Sequence, residues 1–191
     1  MTLLRITAPT VEPVTTAEAK LHLRVTHSTD DDLIDVLIAA AREQCEHLTG
    51  RALVTQTWER VLDAFPAVEI ELGRPPVIAI TSVTYTDAAG DSQILDSADY
   101  SLDNVTEPGY LLPAEGVIWP TTLDTANAVR VRFTCGYGAT ADSVPAALRA
   151  WIKLRLATLY KHREEIVAGI SVADLPNGYT DRLIDRYRLW S

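Results

Sequence analysis

The stretch that decides the fold is "HLTGRALVTQTW", His47–Trp58. Before it, apolar residues recur at helical spacing, with Leu33, Leu37, Ile38, Ala41, Cys45 and Leu48 on one stripe. After Gly50 the chain turns to β-branched and aromatic residues, with no linker between the two patterns. Gly50 is placed to stop the helix, because glycine readily takes the left-handed conformation that ends helices. The junction predicts a helical core that hands over directly to β structure.

Upstream, Thr15-Thr16-Ala17-Glu18 reads as a capping box opening a short helix to about Leu23, with Ala19 and Leu23 on one face. "THSTDDD" (Thr26–Asp32) supplies a second start, with Ser28, Thr29 or Asp30 as cap and acids in the first turn. Downstream, "AVEIEL" (Ala67–Leu72) alternates, which predicts Val68, Ile70 and Leu72 inward and Glu69 and Glu71 outward. "VIAITSVTYT" (Val77–Thr86) is a strong strand, and "DAAGD" (Asp87–Asp91) a turn back into "SQIL". Further strands are expected near Tyr100, Tyr110, Val117–Trp119 and over "AVRVRFT" (Ala128–Thr134). Helix returns at Ser143-Val144-Pro145, with Leu148, Ile152, Leu156 and Leu159 on one side, flanked by Trp151 and Tyr160. The predicted class is α+β in a single domain. Residues 1–50 and 143–175 form the helical core, 51–142 a β-rich insertion and 176–191 a C-terminal arm.

The length of 191 residues suffices for one sizeable core. Cys45 and Cys135 fit no metal or redox spacing, so reduced thiols are expected. "MTLLRITAP" lacks the apolar run of a signal peptide, and no stretch approaches a membrane span, which points to the cytoplasm or a particle assembled there. The net charge of -9 is unevenly spread: -3 over residues 1–58, -10 over 59–129 and +4 over 130–191. An acidic middle argues against a sequence-specific reader of nucleic acid, which needs cations to neutralise phosphates. Those acids either keep exposed strands in solution or form a surface to which passing DNA does not adhere.

Candidate chemistry is sparse. "CGYG" (Cys135–Gly138) lacks the third glycine and immediate helix of a dinucleotide fingerprint and reads as a strand-ending turn. His22, His27, His47 and His162 stand in no recognisable nucleophile setting. Asp30–Asp32 lack the alternating oxygens and glycine of a calcium loop and suit a helix start. The basic residues around Arg149, Lys153, Lys161 and Arg163 form a solvated helix face or a contact for an acidic partner. No catalytic residue, cofactor site or metal site is expected.

The landmarks run in a telling order: "TTAEAKLHLRV", "DDDLIDVLIAAAREQCEHLTGRALVTQTWE", "YTDAAGD", "YSLDN", "GVIWP", "VRFTCGYG", "VPAALRAWIKLRLATLYKHRE" and "LPNGYTDRLIDRYR". Together they resemble the head-to-tail connector proteins of tailed bacteriophages, also called adaptor or head-completion proteins, with relatives in prophages and gene transfer agents. The resemblance implies a non-enzymatic virion protein of the neck, assembled in the host cytoplasm. It implies a homo-oligomeric ring, commonly a dodecamer, bound to the portal protein and offering a surface to the tail or stopper protein. DNA would pass through the lumen without specific binding, and no membrane is involved. The resemblance also implies a C-terminal arm that reaches the portal. Here that places Tyr179, Arg182, Leu183, Arg186, Tyr187, Arg188 and Trp190 as partner-binding residues. Arginines and aromatics together are frequent interface anchors. The other reading of the tail is that Leu183, Ile184, Tyr187 and Trp190 fold back onto the protein's own core. Two other functional classes remain: an enzyme, which a pocket of converging titratable groups would reveal, and a cytosolic scaffolding module unrelated to phage, which gene neighbours would reveal.

Overall fold

The computed structural model describes residues 2–162 and 180–189. The chain is α+β and divides into two compact units, Met1–Thr10 with Thr55–Tyr137, and Val11–Val54 with Gly138–Ser191.

The first unit is all antiparallel. One sheet contains β1 (Thr2–Thr7), β2 (Gln56–Leu62), β4 (Val77–Thr86), β5 (Ser92–Ile94) and β8 (Val129–Cys135), in the order β1-β2-β8-β4-β5. A second holds β3 (Ile70–Glu71), β6 (Tyr100–Asp103) and β7 (Tyr110–Pro113), in the order β3-β7-β6. The two-residue period of β8 is what builds the core. Val129, Val131, Phe133 and Cys135 are buried, while Arg130, Arg132 and Thr134 alternate with them on the opposite face.

The helical unit contains α1 (Thr16–Leu23), α2 (Asp31–Thr49) and α3 (Ala146–Lys161). Thr15 and Glu18 close the expected capping box, with both backbone amides satisfied. Ile34, Ile38, Ala41 and Cys45 of α2 are buried, as are Leu148, Trp151, Ile152 and Leu156 of α3. Burial raises the Cys45 thiol to about 12, so it is a core residue rather than a nucleophile.

Several expectations need correction. Residues 1–10 do not belong with the helices: β1 pairs with β2 from Thr2↔Val61 to Thr7↔Thr57. Val68 does not point inward but is 61% exposed, and the strand around it shrinks to Ile70–Glu71. Its carbonyl instead accepts from Trp119 Nε1 at 3.0 Å. Val117–Trp119 is likewise not a strand, because Trp119 stacks on Phe65 at 5.0 Å. On α2 the buried stripe is turned by about one residue, leaving Leu33, Leu37 and Leu48 half-exposed. Asp30 occupies the cap position of α2 without capping it, since its carboxylate takes the Tyr160 hydroxyl. The described part of the C-terminal arm contains two 3-10 turns, Asp181–Leu183 and Asp185–Tyr187.

Candidate functional site

The Thr-Gly-Arg stop at the end of α2 is a seat for the C-terminal segment. Gly50 ends the helix in the left-handed region at φ 73°, which frees the backbone to turn. The Thr49 carbonyl accepts from Leu189 N at 3.0 Å, and Arg51 Nε donates to the Tyr187 carbonyl at 2.5 Å. A Cβ at Gly50 would meet Leu189 Cδ1 at 3.2 Å, so Leu189 covers the glycine closely. Trp151 Nε1 donates to Asp181 Oδ1 at 3.0 Å, and Ile184 is fully buried. Residues 51–54 then stay with the helices as an irregular segment in which Ala52, Leu53 and Val54 are buried.

The surface this segment presents is mixed. Arg182 and Arg186 are exposed; Leu183, Tyr187 and Arg188 are half-buried. The Arg186 guanidinium lies 5.0 Å from the Tyr187 ring centre. Arg188 lies 3.3 Å from Asp185 and 3.7 Å from Asp181, so its charge is already met within the segment. Tyr179 and Trp190 lie outside the described residues. The partner-binding residues expected from sequence therefore divide into an anchoring set and an exposed pair. Sequence reasoning missed Thr49 and Arg51 as groups that position them, while Ile184 is buried as the fold-back reading expected.

Behind this seat runs a buried polar cluster. Arg42 Nε donates to Glu12 Oε2 at 2.8 Å and an Arg42 terminal nitrogen to Glu46 Oε2 at 2.9 Å. Glu46 Oε1 also accepts from Leu53 N at 2.9 Å, so one carboxylate ties α2 to the segment leaving it. Burial holds the Glu12 carboxyl above its ordinary range despite the Arg42 contact. The basic face of α3 is partly spent internally as well. Arg149 reaches the Pro13 carbonyl, Glu18 and Asp142, and Arg155 reaches Gln44 at 2.6 Å.

The helical unit also carries a groove of about 550 Å³ lined by Val11, Glu12, Val14, Asp35 and Thr140 among others. Its described lining holds no histidine, cysteine or lysine. Glu12 is paired with Arg42, and Asp35 with the Thr16 hydroxyl at 2.6 Å. No nucleophile and base meet there.

In the β unit the acids lie at the surface, with one exception. Glu59 is 5% exposed and is gripped by Arg130 at 2.9 Å and Arg132 at 2.8 Å, both from β8. Burial pushes its pKa up, but the two guanidiniums outweigh that and hold it low. Many of the remaining acids brace loops. Asp63 accepts from Asn127 N, and Asp96 from Ala98 N. Asp87 accepts from Gln93 and from the amides of Ala89 and Asp91. Asp103 accepts from Val105 N and Thr106 N. Among the described residues no helix is long and apolar enough to cross a membrane, and no three metal-ligating side chains gather.

Residues 14–104 match the family described as phage gp6-like head-tail connector protein. No curated protein matches the chain. Among solved structures, one of the neck of an empty GTA particle, computed with C6 symmetry, contains a chain 25% identical to this one. The likeness covers 100% of this chain and 97% of that one, with a TM-score of 0.82. A chain in the virion of a native gene transfer agent particle is 26% identical over the same shares, with a TM-score of 0.80. A third, in the neck of a native GTA particle computed with C12 symmetry, is 25% identical, also covers 100% and 97%, and has a TM-score of 0.78.

Proposed function

We propose that the chain is a relative of the gp6-like head-tail connector proteins of phages and a structural subunit of the neck of a phage or gene transfer agent particle, joining head to tail as a closed ring. The carrying observation is that the likeness to neck subunits spans the whole chain, both units included. A closed ring needs two different lateral faces that complement each other by rotation, and axial faces for the two neighbours. The ring takes a portal above and a tail or stopper protein below, and DNA runs through without being gripped. In this reading the protein is a joining piece and not an enzyme.

Within it, the C-terminal segment offers Arg182 and Arg186 to acidic groups of the portal, with Tyr179, Leu183, Tyr187, Arg188 and Trp190 completing the contact. The seat at Thr49–Arg51 supports this arrangement by fixing where the arginines emerge. The acids of residues 59–129 keep the β unit hydrated and weaken adhesion to DNA phosphate.

The test is incorporation. Portal-bearing heads lacking the native connector are incubated with the wild-type protein and with an Arg182→Ala/Arg186→Ala variant. Wild-type protein is expected to add a ring at the portal vertex, visible by particle imaging. The variant should keep its melting temperature but join fewer heads. Failure of the wild type to join would overturn the connector reading, and full incorporation of the variant would overturn the role of the two arginines.

A further inference from the structure

The five-stranded sheet ends in two edges that no described strand covers. One is the outer side of β1, Thr2–Thr7, six residues exposed at all positions but Leu3. The other belongs to β4. Its partner β5 reaches only Thr84–Thr86, which leaves the side of Ile78–Ser82 away from β8 with no strand against it among the described residues. Neither stretch is guarded by proline or by a run of charges. "TLLRIT" carries one charge and "IAITS" none, neither contains proline, and both are rich in β-forming residues. Leu4, Ile6 and Ile78 show 43%, 44% and 44% of their surface to water.

We propose that these two edges are made for each other in successive copies: β1 of one copy pairs antiparallel with Ile78–Ser82 of β4 in the next. Direction favours it. Every neighbouring pair in β1-β2-β8-β4 is antiparallel, so β1 and β4 run in opposite senses. A copy carried round by a small rotation keeps the sense of its strands, and its β1 therefore arrives antiparallel to β4 and continues the alternation. The contact joins two different patches head to tail, which is the kind of interface that closes into a ring. Length favours it too, since β1 has six residues and the open stretch of β4 five. Irregularities at Ile6, and at Ile78 and Thr81, twist the two edges, which limits pairing to a strand of matching shape. Pairing satisfies backbone groups that otherwise depend on water and covers Leu4, Ile6 and Ile78.

This inference rests on the ring reading and is tested separately from it. An Ile6→Cys/Ala79→Cys double variant of the full chain is added to portal-bearing heads and oxidised. The native thiols do not compete, because Cys45 and Cys135 are buried. A ladder of disulfide-linked multimers is expected, absent from each single variant and stronger than from a Val105→Cys/Ala79→Cys control. As a second readout, Ile6→Lys should melt like wild type but lose incorporation, and Ala79→Glu in the same chain should restore it. If wild-type protein never joins heads, the connector reading falls and takes this one with it. If rings form but the ladder does not exceed the control, or Ile6→Lys joins as well as wild type, the edge pairing is overturned and the ring reading stands.

Discussion

At the scale of single residues, two groups do work that their chemistry alone does not announce. Gly50 has a positive φ and lies under Leu189, so a side chain there is doubly opposed. Gly50→Ala is expected to cost about 1–2 kcal/mol through left-handed strain, with Gly50→Asn milder; urea unfolding of both variants checks this. Glu59 is the one buried acid of the β unit, and its folded pKa lies below the ordinary value. Such a group binds its proton more weakly when folded. Its contribution is therefore present above the unfolded pKa of about 4.3 and is lost as pH falls through the folded value. Glu59→Gln should cost about 1–3 kcal/mol at neutral pH, leaving Arg130 and Arg132 without their carboxylate. The difference between variant and wild type should shrink in acid. A difference that does not change between pH 7 and pH 3 would contradict this account.

At the scale of elements, the end of α2 and the C-terminal 3-10 turns form one structural piece. Ile184 supplies its apolar part and Arg51 its polar part. Ile184→Ala should cost about 2–5 kcal/mol, as for other buried large-to-small changes. Arg51→Ala should act differently, loosening the segment while the helices hold. The measurement is hydrogen exchange: amides of 183–189 should lose protection in Arg51→Ala, and those of α2 and α3 should keep theirs. Equal loss throughout would mean that Arg51 supports the whole unit.

At the scale of the whole molecule, the arm and the fold-back are not alternatives. The segment's inner side is anchored and its outer side carries Arg182 and Arg186. Truncation after Pro176 is thus expected to lower the melting temperature, because it uncovers the surroundings of Ile184 and Trp151. Arg182→Ala/Arg186→Ala should leave it unchanged. Scanning calorimetry on the two proteins checks this, and a truncated chain as stable as wild type would show that the seat carries no stability.

What the sequence determined by itself was whatever depends on local periodicity and backbone preference. The capping box at Thr15–Glu18, the stop at Gly50, the strands over Val77–Thr86 and Val129–Cys135, and the return to helix after Pro145 are all of this kind. So was the α+β class, because a period of two and a period of 3.6 cannot share one element. The tertiary structure decided where a pattern has more than one use. "TLLRIT" has apolar residues on both faces, so only its pairing with β2 assigns it to a unit. Val68 alternates as a strand residue should, yet Trp119 and Phe65, some fifty residues apart, draw the backbone away from that use. That Ile184 is buried rather than offered is decided by tertiary packing, which local periodicity does not specify. The Thr-Gly-Arg junction follows the same rule: the glycine could be read as a stop, but what it stops for is a contact at a separation of 136 residues, Arg51 to Tyr187. Local rules carry no information about partners at that distance, because what selects them is the apolar surface left over after each element has formed.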